Sequence, residues 1–169
     1  ATKIALYFSL ILVVFGSVTF AIFEWNGVLS GMSNFGKFTT SVFQSVTRTS
    51  GFNSVDIGYV GLPMILILMA LMFIGASSSS PGGGIKTSTF SVILSDVWRT
   101  VRGFDNAQLF KRTISPTLRS RAYSVLMFFI VGNIVFLVLL TVTEASLLAE
   151  GEYSFIDLAF EQISAMGTV

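Results

Sequence analysis

The stretch that most restricts what this chain can fold into runs from Gly58 to Trp98. It carries LPMILILMALMFI at 62–74, turns to GASSSSPGGGIKT at 75–87, and is apolar again from Ile85 to about Trp98. As one helix it would be roughly 60 Å long, about twice the hydrocarbon thickness of a bilayer. It is therefore expected to be a broken span: a half-helix, a non-helical loop, and a second half-helix leading into the aqueous phase. The Gly/Ser run first suggests a phosphate-binding loop, but that motif, G-x-x-x-x-G-K-[ST], follows a strand and opens a helix. Here Ile85 separates Gly84 from Lys86 and an apolar helix comes first, so a nucleotide site is set aside.

Two other stretches reach the length of about 20 apolar residues that a spanning helix needs. Ile4 to Phe23 is uncharged between Lys3 and Glu24, and Ala122 to Thr143 is uncharged between Arg121 and Glu144. Composition agrees: 11% of residues are charged, against about 25% in soluble domains. Net charge is +1, which gives no field to attract nucleic acid. The chain has no Cys and no His, which excludes disulfides and Cys-based metal sites and removes the commonest general base. The spans also hold no acid, so no enzyme chemistry and no cofactor are expected. No charged segment followed by a short apolar run and a cleavage site is present, and the chain reads as a piece of a longer protein.

Orientation follows from Lys and Arg. Between Asp96 and Arg121 lie Arg99, Arg102, Lys111, Arg112, Arg119 and Arg121, whereas Glu144, Glu150, Glu152, Asp157 and Glu161 follow the last span with no Lys or Arg. The first segment is expected to be cytoplasmic and the second external, in a multi-pass protein of the cell membrane.

What remains is an internal repeat. FTTSVFQSVTRTSGFNSVD (38–56) and FIDLAFEQISAMGTV (155–169) each follow a span and an external loop. Each has two Phe separated by four residues, then Gln44 or Glu161, then a run of small and polar residues. Both are too short to span. The reading is a re-entrant helix followed by an extended strand, Thr47–Asn53 in one copy and Ser164–Val169 in the other. Non-helical backbone at membrane depth is tolerated only where protein buries it or it lines a water-filled path. Carbonyls of such strands can replace the hydration shell of a cation, and the negative ends of the short helices would point at the same ion. An ordinary external loop is the alternative for either strand alone; the repetition favours a filter.

Together, SVTRTSGFNSVD and the apolar helix running into MFIGASSSSPGGGIKTSTF resemble the Trk/Ktr/HKT superfamily of potassium transporters, in its TrkH/KtrB-type membrane subunit. LFKRTI (109–114) and EQISAMGTV (161–169) carry the same resemblance. It implies an all-α membrane protein of helix–pore loop–helix repeats with re-entrant pore helices and one broken transmembrane helix. Residues 1–98 would be a complete third repeat, 99–121 a cytoplasmic basic connection, and 122–169 the first helix and pore loop of the fourth.

The resemblance assigns roles residue by residue. Thr47, Thr49, Ser50, Gly51, Phe52 and Asn53 would form one filter segment, with K+ held by backbone carbonyls near Gly51. Ser164, Ala165, Met166, Gly167, Thr168 and Val169 would begin another. Gly75, Ala76, Ser77, Ser78, Ser79, Ser80, Pro81, Gly82, Gly83 and Gly84 would be an intramembrane gate loop below the filter. Arg48 is expected to brace the filter against carbonyls or a carboxylate, with Asp56 one candidate, or else to be a plain surface Arg. Lys86 is a gate anchor or a side chain snorkelling to the inner interface. Glu24 and Glu144 line an outer vestibule or simply end their helices at the interface. The family further implies a homodimer in the lipid bilayer and cytoplasmic nucleotide-binding regulatory subunits, with 99–121 as their contact. Alternatives are a secondary transporter with a discontinuous helix, a two-helix potassium channel subunit, or a sodium-permeable relative.

Overall fold

The computed structural model describes residues 2–77, 82–103, 108–109, 112–151 and 153–169. Helix α1 is Thr2–Glu24 and α2 is Asn34–Thr47. A single 3-10 turn at Ile57–Tyr59 leads to α3, Leu62–Phe73, and then comes α4, Thr87–Arg102. A two-residue antiparallel ladder pairs β1 (Gln108–Leu109) with β2 (Arg112–Thr113). Helices α5 (Pro116–Thr143), α6 (Ala145–Glu150) and α7 (Phe155–Gly167) complete the order.

Among the described residues two helical segments are long and apolar enough to cross a bilayer, Ala5–Glu24 and Pro116–Thr143. The stretch that could not be one helix is divided between α3 and α4. Pro63 sits in the first turn of α3, where its missing N–H costs nothing. Gly103 ends α4 with a left-handed φ of 68°, the conformation glycine takes at a helix C-terminus. The two short helices carry side-chain caps. Ser33 Oγ accepts the Gly36 N–H at 3.2 Å to start α2. Ser154 and Asp157 form a capping box at the start of α7.

Helix α1 packs on α2, α3 and α4, while α7 lies against both α3 and α5. The core joins Phe20, Leu29, Val60, Met64 and Leu68, with Phe160 of α7 packed against it. Gly16 lets α1 approach closely, since a Cβ there would strike Ser45 Oγ. That hydroxyl instead donates to the Val13 carbonyl at 2.7 Å. In α5, by contrast, only Ala122 is buried.

Neither expected strand is fully extended. Helix α2 continues to Thr47 and a turn follows through Gly51. Helix α7 includes Ser164, Ala165, Met166 and Gly167. Ala and Met are strong helix formers, and they outweigh the Ser and Gly that suggested a strand. The helix then closes at Thr168, which adopts φ 57°. There the Thr168 and Val169 N–H groups donate to Ala165 and Ser164 carbonyls at 3.2 and 3.0 Å.

Candidate functional site

The C-terminal ends of α2 and α7 meet. After α2, the Ser50 N–H donates to the Thr47 carbonyl at 2.8 Å and Gly51 takes φ 71°. A Cβ on Gly51 would lie 2.7 Å from the Val169 carbonyl carbon, so backbone passes backbone with no room for a side chain. Both helices thus direct the partial negative charge of their C-termini to one place. Gln44 of α2 fixes the chain that leaves it: its Oε1 accepts the Ser54 N–H at 3.0 Å and its Nε2 donates to Asn53 Oδ1 at 3.3 Å.

The helix break lies beside this meeting point. A helix that stops leaves its last carbonyls without internal donors. Here the Ala70 carbonyl receives the Ile74 N–H at 3.4 Å and the Phe73 carbonyl receives the Ile85 N–H at 3.0 Å. The carbonyls of Leu71 and Ile74 both receive Arg48 Nη1, at 2.5 and 2.7 Å. The two limbs of the loop touch where Gly75 packs directly on Gly83 and Gly84, and a Cβ on Gly75 would overlap the Gly83 carbonyl oxygen. Gly84 has φ 71°. The Thr87 N–H donates to the Ala76 carbonyl at 3.4 Å, and Lys86 Nζ donates to the Gly82 carbonyl. The loop also reaches α7: the Gly83 N–H donates to the Gly167 carbonyl at 3.0 Å and to Thr168 Oγ1 at 2.6 Å. Ser78, Ser79, Ser80 and Pro81 lie outside the described residues.

The structure therefore brings together Arg48, Gly51, Gly75, Gly83, Gly84, Gly167, Thr168 and Val169. Phe52 is 70% exposed. The carbonyls of Thr47, Ser164 and Ala165 are engaged in helix ends rather than arrayed along a strand. Arg48 is 6% exposed, so it is no surface residue. Of its two expected kinds of partner it takes carbonyls, while Asp56 instead accepts the Gly58 N–H at 3.0 Å.

Glu24 is buried at the end of α1. It is 3% exposed and accepts the Gly61 and Val28 N–H groups at 2.9 and 3.3 Å, joining the end of α1 to the start of α3. Sequence reasoning also missed Lys37, whose Nζ donates to the Trp25 carbonyl at 2.6 Å and stacks 4.7 Å from the Trp25 ring. Gln44 did carry a signal, since it stands at a fixed place in the repeat. Farther off, Asp96 ties α4 to α5 through Arg119 and Tyr123, at 2.9 and 3.0 Å, and pairs with Arg99 at 2.9 Å. The hydrogen bond from Arg119, helped by Tyr123 and Arg99, holds the Asp96 carboxyl below its ordinary range against the opposing effect of burial. Among the described residues no three Asp or Glu side chains cluster as a metal site. Backbone carbonyl oxygen is the ligand type that the meeting point offers a cation.

A family model described as TrkH, cation transport protein, matches residues 2–169. Ktr system potassium uptake protein B of Vibrio alginolyticus is 38% identical over 99% of this chain and 36% of its own length. The protein of the same name from Bacillus subtilis is 38% identical over 99% of the chain and 37% of its own length. The potassium/sodium uptake protein NtpJ of Enterococcus hirae is 33% identical over 99% of the chain and 37% of its own length. The chain thus spans little more than a third of the length of these curated relatives.

Proposed function

The chain belongs to the TrkH family of cation transport proteins, and on that premise we propose that it is part of the ion-translocating subunit of a channel-like potassium uptake system. Potassium is the cargo, and no covalent step is involved. The observation that carries this reading is the convergence of two helix C-termini and the loop at Gly51, Val169 and Gly83. Helix ends aimed at one point stabilise a cation that has shed part of its water. Backbone carbonyls near Gly51 supply the oxygens. In the full-length protein, further repeats complete the ring.

The loop 75–84 acts as the gate. Its described residues are small, and among them Gly83 meets α7 through hydrogen bonds. Such bonds can break and re-form without repacking a core. Lys86 anchors the loop through the Gly82 carbonyl. Helices α2 and α7 are re-entrant pore helices entering from outside, residues 99–121 face the cytoplasm, and the full-length subunit forms a homodimer. Cytoplasmic nucleotide-binding regulatory subunits engage the basic connection.

The test is potassium uptake by the full-length protein in potassium-requiring cells, with and without Gly51→Asp. Loss of uptake with retained expression is expected; unchanged uptake removes Gly51 from the filter. Deleting residues 76–83 is expected to raise flux, and low flux in a folded deletion variant removes the gate. A sodium-permeable variant of the same reading is favoured by the likeness to a potassium/sodium uptake protein. Uptake measured in potassium and in sodium separates the two. A secondary transporter with a discontinuous helix would bind its solute at the break and keep saturable, slow turnover after the deletion.

A further inference from the structure

The break between α3 and α4 needs donors for the carbonyls it exposes, and two of those carbonyls are served from another pore element. Arg48 stands one residue beyond α2 and three before Gly51. Its Nη1 bridges the Leu71 and Ile74 carbonyls, which flank the last turn of α3. A guanidinium at a helix C-terminus answers both the unsatisfied acceptors and the negative end of the dipole. Hydrogen bonds from a charged donor are the stronger kind.

We propose that Arg48 is a positioning residue that latches the gate's first limb to the filter segment it belongs to. This rests on the proposed roles of Gly51 and of the loop 75–84. The latch holds Ile74 and Gly75 in place, and Gly75 in turn bears on Gly83 and Gly84. Gly83 closes the circuit by donating to Gly167 and Thr168 at the end of α7. The two limbs of the loop are therefore held from both short helices, through Arg48 on one side and Gly83 on the other. A shift of the turn 48–51, as an ion enters or leaves, reaches the gate directly through one side chain. The guanidinium also makes the break itself tolerable at membrane depth, because without it Leu71 and Ile74 would present carbonyls to an apolar surrounding.

The experiment compares four full-length proteins: wild type, R48Q, the deletion of residues 76–83, and the two combined. Basal potassium flux in proteoliposomes is measured without regulatory subunits. R48Q is expected to raise flux at least about tenfold, the population shift that follows loss of the two charge-assisted hydrogen bonds to Leu71 and Ile74. R48K, which keeps the charge, is expected to restore most of the closure. In the deletion background R48Q should add nothing further, since the element it holds is gone. If the deletion raises flux and R48Q does not, the latch is wrong and the gate stands. If the deletion leaves flux low, the gate reading itself falls. If R48Q yields no folded protein, R48M, which keeps the length of the side chain and removes its donors, is read instead, with Ala76→Cys labelled by a membrane-impermeant thiol reagent in a background without other Cys. Labelling faster than in the Arg48 protein supports the latch, and equal labelling overturns it.

Discussion

Two pairs of helices, α1 with α2 and α5 with α7, are stabilised differently. In the first, α1 and α2 are joined by buried polar contacts: Ser45 to Val13, Lys37 to Trp25, and Gln44 to the chain after Gly51. Glu24, at the end of α1, is buried against the Gly61 N–H that opens α3. In the second, α5 buries only Ala122, and Gln162 of α7 is 6% exposed with its Nε2 unpaired. Glu144, which ends α5 as Glu24 ends α1, is one wall of a mostly apolar cavity of about 1130 Å³ shared with Phe136, Leu140 and Glu161. Gln44 and Glu24 accept backbone N–H groups of Ser54, Val28 and Gly61, whereas Gln162 Nε2 has no partner among the described residues.

The sharpest way to break the comparison is a glycine in each copy. Gly51→Ala combines a positive φ with a Cβ 2.7 Å from the Val169 backbone, so loss of uptake and a destabilisation of at least about 2 kcal/mol are expected. Gly167→Ala meets nothing closer than 3.4 Å and has no positive φ, so thermal stability in detergent should change by less than about 1 kcal/mol. Equal effects would mean that the two helix ends are held alike.

Next come the two glutamates. Glu24→Ala strands the Gly61 and Val28 N–H groups and should cost about 2–3 kcal/mol. Glu144→Ala should cost less than about 0.5 kcal/mol. The same melting experiment reads both, and a Glu144 effect as large as that of Glu24 would refute the distinction. The smallest effect is expected at the glutamines. Gln44→Ala should lower stability by about 1–2 kcal/mol, whereas Gln162→Leu removes an unsatisfied donor and should be neutral or slightly stabilising.

Some of this could be read from the residues alone, because it depends on length and local chemistry. The uncharged runs flanked by Lys3 and Glu24, and by Arg121 and Glu144, fix the two long helices. The excess length from Gly58 to Trp98 requires a break, and Gly75 to Gly84 is the place for it. The rest depends on partners far away in sequence. Arg48 finds carbonyls 23 and 26 residues on, and nothing in SVTRTSGF announces which ones. Glu24 meets Gly61 across 37 residues. The helix through Gly167 was hidden for another reason: Ser164 and Gly167 weaken helix locally, but Ala165 and Met166 favour it, and the capping at Thr168 and the packing of α7 on α3 and α5 add to that preference.

The crossing of Gly75 with Gly83 and Gly84 has one more consequence. Two limbs that already touch close the ring of chain between them, so what lies inside adds little to the entropy of closure. Doubling such a loop costs only about 0.6 kcal/mol. Residues inserted between Ala76 and Gly82 should therefore leave α3, α4 and the melting temperature nearly unchanged. Natural or engineered variation in the length of this segment is then compatible with the same packing of α3 and α4.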